Sequence, residues 1–235
     1  MLLGIAGMVG SGKTTLARAL ASRFGLQLAL ESIDEDNPWL EPFYSGADGM
    51  KTFALNLQLH FLATRFASMR RMRGLGGSWV LDRTWYEDAE VFAAGHYEQG
   101  LLTKEEWQLY RRLYAELLYA PAARPPRLLI YLYAPIETIL ARIAERGRPK
   151  EREADRGYWE QLHARYSKWI HGFRHCPVLF IDVREYDLFT DASGAAEGIA
   201  SRVQQRLEKE LPQTELWPAA APRQADLGAF SRGIT

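Results

Sequence analysis

Short apolar runs alternate along this chain with longer segments in which apolar residues recur every three or four positions. The runs at 2–6, 27–30, 78–81, 127–133 and 178–181 read as strands. The segments at 13–24, 50–73, 103–119, 135–146, 156–173 and 192–211 read as helices. Strand-then-helix alternation predicts an α/β fold, a five-stranded parallel sheet flanked by helices. Segment 50–73 carries Phe53, Leu57, His60, Phe61, Thr64 and Ala67 at helical spacing. Segment 103–119 carries Leu109, Tyr110, Leu113, Tyr114, Leu117 and Leu118. Each can pack on a partner helix, inside the monomer or across a homodimer. From Pro212 the composition turns to Pro, Ala and polar residues. One domain over 1–211 and a poorly ordered tail over 212–235 are therefore expected.

Parallel sheets of this kind bind ligands at the carboxyl ends of their strands. After the first strand the chain reads Gly7-Met8-Val9-Gly10-Ser11-Gly12-Lys13-Thr14-Thr15, which fits G-x-x-x-x-G-K-[ST]. Strand, loop and helix stand in the order a phosphate-binding loop requires. Glycines let the backbone curl so that several N–H groups face an anion. The helix that follows adds about half a positive charge at its N-terminus. Lys13 is placed to reach the β- and γ-phosphates, and the Thr14 hydroxyl to ligate Mg²⁺.

Composition narrows the partners. The 235 residues carry 29 basic and 29 acidic side chains, a formal charge of zero. That balance gives no electrostatic footprint for nucleic acid or an anionic membrane. Cys176 is the single cysteine, so an internal disulfide is excluded. It precedes Pro177 at the entry to the last strand and reads as buried filler. No apolar run reaches the ~20 residues of a spanning helix, and the residues before the Gly-rich loop do not look like a signal peptide. A cytoplasmic protein is expected. His60, His96, His163, His171 and His175 show no metal-ligand spacing.

The other strand ends carry charge. Glu31 closes the second strand and opens the acidic stretch Ser32-Ile33-Asp34-Glu35-Asp36. It can take a proton from an attacking hydroxyl, or be one more solvated loop charge. Asp82 closes the third apolar run, the Walker B pattern. It can hold Mg²⁺ opposite Thr14, or cap the next helix. Arg142, Arg146 and Arg148 surround Gly147. The first two share a helix face, and the third lies in the turn beyond. Guanidiniums near a γ-phosphate stabilise transition-state charge, though helix ends also favour cations. In a fold of this kind the stretch Asp182–Asp187 after the last strand either contacts the adenine of ATP or forms an ordinary strand-to-helix turn.

Taken together, these segments resemble the deoxynucleoside kinases, nearest the bacterial deoxyadenosine/deoxyguanosine branch. The likeness runs from residue 2 to about 210 and rests on several motifs. They are the loop 7–15, Glu31 with Asn37-Pro38-Trp39-Leu40-Glu41-Pro42-Phe43-Tyr44, and Gln58 with Arg65. The signature Asp82-Arg83-Thr84-Trp85-Tyr86-Glu87-Asp88 and the stretch 142–151 complete them. The resemblance implies a P-loop kinase fold with an Arg-rich lid. It implies transfer of the ATP γ-phosphate, with Mg²⁺, to the 5′-hydroxyl of a deoxynucleoside, deoxyadenosine or deoxyguanosine, in nucleotide salvage. It also implies a homodimer. In family terms Glu31 is the general base, Asp82 helps hold Mg²⁺, and Arg83 contacts the 5′-oxygen and incoming phosphate. Gln58 bonds the base edge, and Arg65 with Asp88 forms a base-reading pair. Tyr44 and Glu151 bind the sugar 3′-hydroxyl. Lys13, Arg142, Arg146 and Arg148 act on the ATP phosphates. The spacing from Tyr44 to Gln58 is about three residues longer than the family pattern, a departure that bears on the role of Tyr44.

Physical chemistry agrees with the base-reading roles. A Gln offers one donor and one acceptor to an amidine-like edge. A carboxylate beside an Arg accepts from an exocyclic amine, which adenine, guanine and cytosine carry and thymine lacks. Two other classes compete. A nucleoside monophosphate kinase such as thymidylate kinase needs a basic residue for the substrate phosphate, yet 31–36 is acidic. A regulatory P-loop NTPase leaves Gln58 and Arg65 without a purpose.

Overall fold

The computed structural model describes residues 1–30, 37–121, 123–147, 155–189 and 191–210. The chain divides into two compact units. The first takes Met1–Leu30, Gly77–Thr84 and the described residues from Pro125 onward. The second takes the described residues of Glu31–Gly76 and Trp85–Arg124.

In the first unit, β1 (Leu2–Gly7), β2 (Gln27–Ala29), β3 (Trp79–Asp82), β4 (Leu128–Tyr133) and β5 (Val178–Asp182) form one sheet. All its pairings are parallel and its order is β2-β3-β1-β4-β5. Leu3, Ile5, Leu129 and Ile130 are fully buried. The strands read as continuous apolar runs because helices cover a parallel sheet on both faces. Ile5 pairs with Asp82, and Gly7 with Leu132. The end of β1 is thus flanked by the ends of β3 and β4, and this fixes where the Gly-rich loop emerges. α1 (Lys13–Phe24) follows that loop. It ends at Gly25, whose φ of 61° is the left-handed conformation glycine adopts without penalty. The unit is completed by helices at Ile136–Arg146, Arg156–Gly172 and Ala192–Glu210.

The second unit is helical. α2 (Leu40–Phe43) and α3 (Ala47–Leu75) lead to a helical run in three parts, α4 (Trp85–Glu87), a π-helical turn Asp88–Ala93 and α5 (Ala94–Glu98). α6 (Lys104–Tyr119) follows, started by a capping box in which Thr103 and Glu106 satisfy each other's backbone N–H. The remaining helices of the first unit are then α7 (Ile136–Arg146), α8 (Arg156–Gly172) and α9 (Ala192–Glu210). Phe43, Ala54, Leu57 and Leu102 form a buried cluster ringed by Trp39, Phe53, Phe61 and Trp107. Each large side chain so buried contributes about 1.5–3 kcal/mol.

The five strands and six long helices fall where the hydrophobic pattern puts them, within a few residues. α3 begins at Ala47 rather than 50, after Gly46 at φ 120°. α2 escapes the pattern because one turn is too short to show a period. The run 85–98 escapes it because a π turn breaks the 3.6-residue repeat. On α6 the apolar face splits: Tyr110 and Tyr114 are buried, while Leu109 and Leu113 are exposed. Cys176 is half-buried, less enclosed than expected for filler. The tail 212–235 lies outside the described residues. Among the described residues no helix is long and apolar enough to cross a membrane, and no group of three or more potential ligands could hold a metal ion.

Candidate active site

The loop between β1 and α1 has the strained backbone that only its glycines accept. Gly7, Gly10 and Gly12 have φ of 145°, 82° and 92°. A Cβ on Gly7 would stand 2.5 Å from the Leu132 carbonyl oxygen, so glycine is required for space as well as conformation. A Cβ on Gly12 would meet the Leu188 side chain at 3.0 Å. Met8, Val9, Ser11 and Thr15 complete the loop and the first turn of α1, and Ser11 is fully buried. The Lys13 ammonium donates to the carbonyls of Gly7 at 2.8 Å and Met8 at 3.1 Å. It is thereby held along the loop it serves.

Thr14 Oγ1 donates to Asp82 Oδ2 at 2.6 Å. Asp82 is 5% exposed, and its Oδ1 is buried with no partner among the described residues. An unsatisfied buried carboxylate oxygen is costly unless something positive meets it. Two hard oxygens, one of them unsatisfied, match the donor set of Mg²⁺.

Arg83 follows with φ 77°, the one non-glycine at positive φ among the described residues. Its N–H bonds the Ile5 carbonyl at 3.0 Å, which locks the strained residue to the sheet. Such strain costs about 1–3 kcal/mol and concentrates at functional positions.

Arg142 and Arg146 lie one helical turn apart on α7, and Gly147 ends that helix in the left-handed conformation. α7 packs on the phosphate loop, since a Cβ on Gly10 would meet Ile143 at 3.0 Å. The Arg142 guanidinium donates to the Val183 carbonyl at 3.0 Å and stacks 4.7 Å over the Phe189 ring. Burial pushes Arg142 down from its ordinary value, while Asp187, Glu145 and Asp182 pull it back. Arg142 therefore faces the segment after β5, the same stretch the sequence assigns to adenine contact or an ordinary turn. Asp182 there is held below the usual carboxylate range, chiefly by its hydrogen bonds from Arg184.

The second unit gathers a separate group. Arg65 Nε donates to Asp88 Oδ2 at 2.8 Å, with only 14% and 4% of the side chains exposed. The π turn begins at Asp88. Gln58 lies on α3 two turns before Arg65, so both project from one face. Gln58 is 2% exposed, and its Oε1 has no partner among the described residues. Burial and the Asp88 charge push the Tyr110 hydroxyl far up. Burial and Glu90 do the same for Tyr114, whose hydroxyl donates to Glu90 at 2.8 Å. Both tyrosines stay protonated. Tyr44 follows α2 and is 55% exposed. Glu31, Arg148 and Glu151 lie outside the described residues.

The sequence profile of the deoxynucleoside kinases matches residues 3–208. The chain belongs to the deoxynucleoside kinase family. It is an ATP-dependent phosphotransferase acting on deoxynucleosides. A deoxyadenosine/deoxycytidine kinase of Bacillus subtilis is 39% identical over 202 residues, 86% of this chain and 91% of that protein. A deoxyguanosine kinase of Lactobacillus acidophilus is 31% identical over 213 residues, 87% of this chain and 90% of that protein. A solved deoxyadenosine kinase from M. mycoides, with the products dCMP and dCDP bound, superposes with a TM-score of 0.70. It covers 87% of this chain and 100% of its own at 23% identity, and so speaks to the P-loop kinase fold alone.

Two side chains of this kinase drew no role from the sequence. His96, weighed only as a metal ligand, lies 3.4 Å from Gln58 Nε2 through its Nδ1. Phe43 stacks on the His96 ring at 5.1 Å between centroids. The π turn hides this, because helical spacing counted from Asp88 misplaces every residue beyond it.

Proposed function

We propose that this kinase takes deoxyadenosine and deoxycytidine as acceptors and transfers the ATP γ-phosphate to their 5′-hydroxyl. The buried Arg65–Asp88 pair carries this reading. A carboxylate already held by a guanidinium accepts a hydrogen bond from an exocyclic amine and repels the carbonyl of thymine. The double specificity of the B. subtilis relative supports it. Adenine and cytosine share an edge in which an amine stands beside a bare ring nitrogen, and Gln58 offers the matching acceptor and donor.

Phosphoryl transfer asks the protein mainly for positioning and charge stabilisation. The loop Gly7–Thr15 and Lys13 hold the triphosphate. Thr14 and Asp82 hold Mg²⁺, which neutralises charge on the phosphates when bound. Arg83 contacts the 5′-oxygen, and Arg142, Arg146 and Arg148 close over the phosphates. Glu31 orients the 5′-hydroxyl and takes its proton. Tyr44 and Glu151 bind the 3′-hydroxyl. The reading places the enzyme in the cytoplasm, as a homodimer formed through the exposed Leu109 and Leu113 of α6.

Replacing the pair together, Arg65→Met with Asp88→Ala, tests the reading. Thymidine phosphorylation should rise at least tenfold relative to deoxyadenosine, the scale of one lost discriminating contact. Continued exclusion of thymidine would place base reading elsewhere.

A further inference from the structure

A primary amide reads a base edge by offering its oxygen as acceptor and one N–H as donor. Turned over by half a rotation, the same amide offers them in reverse order. Adenine and cytosine present an amine beside a bare ring nitrogen, whereas guanine presents a carbonyl beside a ring N–H. An amide fixed in one direction therefore separates guanine from adenine and cytosine, and a freely turning one does not.

The direction of the Gln58 amide is coupled to the tautomer of His96. The Gln58 Nε2 lies 3.4 Å from His96 Nδ1. With the amide nitrogen of Gln58 donating, His96 Nδ1 is the acceptor and the imidazole carries its proton on its own Nε2. The ring plane is set by Phe43, stacked at 5.1 Å with an interplanar angle of 27°. One N–H of Gln58 is thus spent on His96. The Oε1, buried without a partner among the described residues, and the second N–H remain for a ligand. While the imidazole proton stays on its Nε2, turning the amide over would set Oε1 against the bare Nδ1, acceptor against acceptor in a part-buried place, which is costly.

We propose that His96 is a positioning residue that fixes the direction of the Gln58 amide and thereby sets the enzyme's preference between the adenine/cytosine edge and the guanine edge. This rests on the assignment of Gln58 to the base edge made above.

The test measures kcat/KM for deoxyadenosine, deoxycytidine and deoxyguanosine in the wild type and in His96→Leu, which removes the acceptor. The deoxyguanosine-to-deoxyadenosine ratio should rise about tenfold. The deoxycytidine-to-deoxyadenosine ratio should hold, because those bases share one edge. An equal fall for all three, or an unchanged guanine ratio, would overturn the proposal. A wild type that prefers deoxyguanosine would remove the acceptor class named under Proposed function. His96→Leu would then still narrow the discrimination, in the opposite direction. Nitrogen NMR of the wild type gives a reading independent of any variant. His96 Nδ1 should show the nitrogen shift of an unprotonated ring nitrogen, and a proton found on Nδ1 in the neutral ring contradicts the proposal.

Discussion

Arg83 combines a cationic side chain with a backbone that favours glycine. Arg83→Gly separates the two. The folded state should keep its stability within about 1 kcal/mol, because relief of strain offsets lost contacts. Turnover should fall by orders of magnitude, and a thermal melt beside an activity assay checks both. Asp182 gives a pH dependence. Its native value is depressed by Arg184, so its stabilisation is whole above pH ~4 and lost as pH falls through that native value. Asp182→Asn should flatten this part of the acid limb of a melting-temperature profile. The effect should be small, because the Arg184 side chain is 57% exposed and solvent screens the pair. At this scale the sequence was legible wherever one motif fixed both residue and neighbour, as for Lys13 and Thr14. It was silent on His96, whose role depends on a partner thirty-eight residues away in the chain.

The helical run from Trp85 to Glu98 shows what one irregular turn does. A π turn inserts an extra residue and rotates all that follows. Asp88 meets Arg65 of α3 at its start, and His96 meets Gln58 beyond it. The constellation proposed to read the base thus hangs on one regular helix and one irregular one. Breaking the Arg65–Asp88 pair singly leaves a buried charge alone, so Arg65→Met should cost about 3–5 kcal/mol. The double variant should cost less, and denaturant titration of the three proteins checks the order. The strands and long helices were legible because burial on one or both sides imposes a period. α2 and the π turn were not, being respectively too short and aperiodic.

Across the sheet the strand order β2-β3-β1-β4-β5 sets the phosphate loop beside Asp82 and the segment after β5 two strands away on the same edge. Chain alternation predicted a parallel sheet. The pairing of Ile5 with Asp82 needed the structure, since register depends on neighbours distant in sequence. Glu31 stands at the centre of the chemistry proposed. Glu31→Gln should retain ATP binding by calorimetry while turnover falls about 10²–10⁴-fold, the reach of general base catalysis. Unchanged turnover would remove Glu31 from that role. The most direct measurement of the whole account is product identification after incubating the enzyme with ATP, Mg²⁺ and each of the four deoxynucleosides. It predicts ADP with the 5′-monophosphates of deoxyadenosine and deoxycytidine, and little from thymidine. Absence of both monophosphates, or thymidine taken as readily as deoxyadenosine, would contradict it.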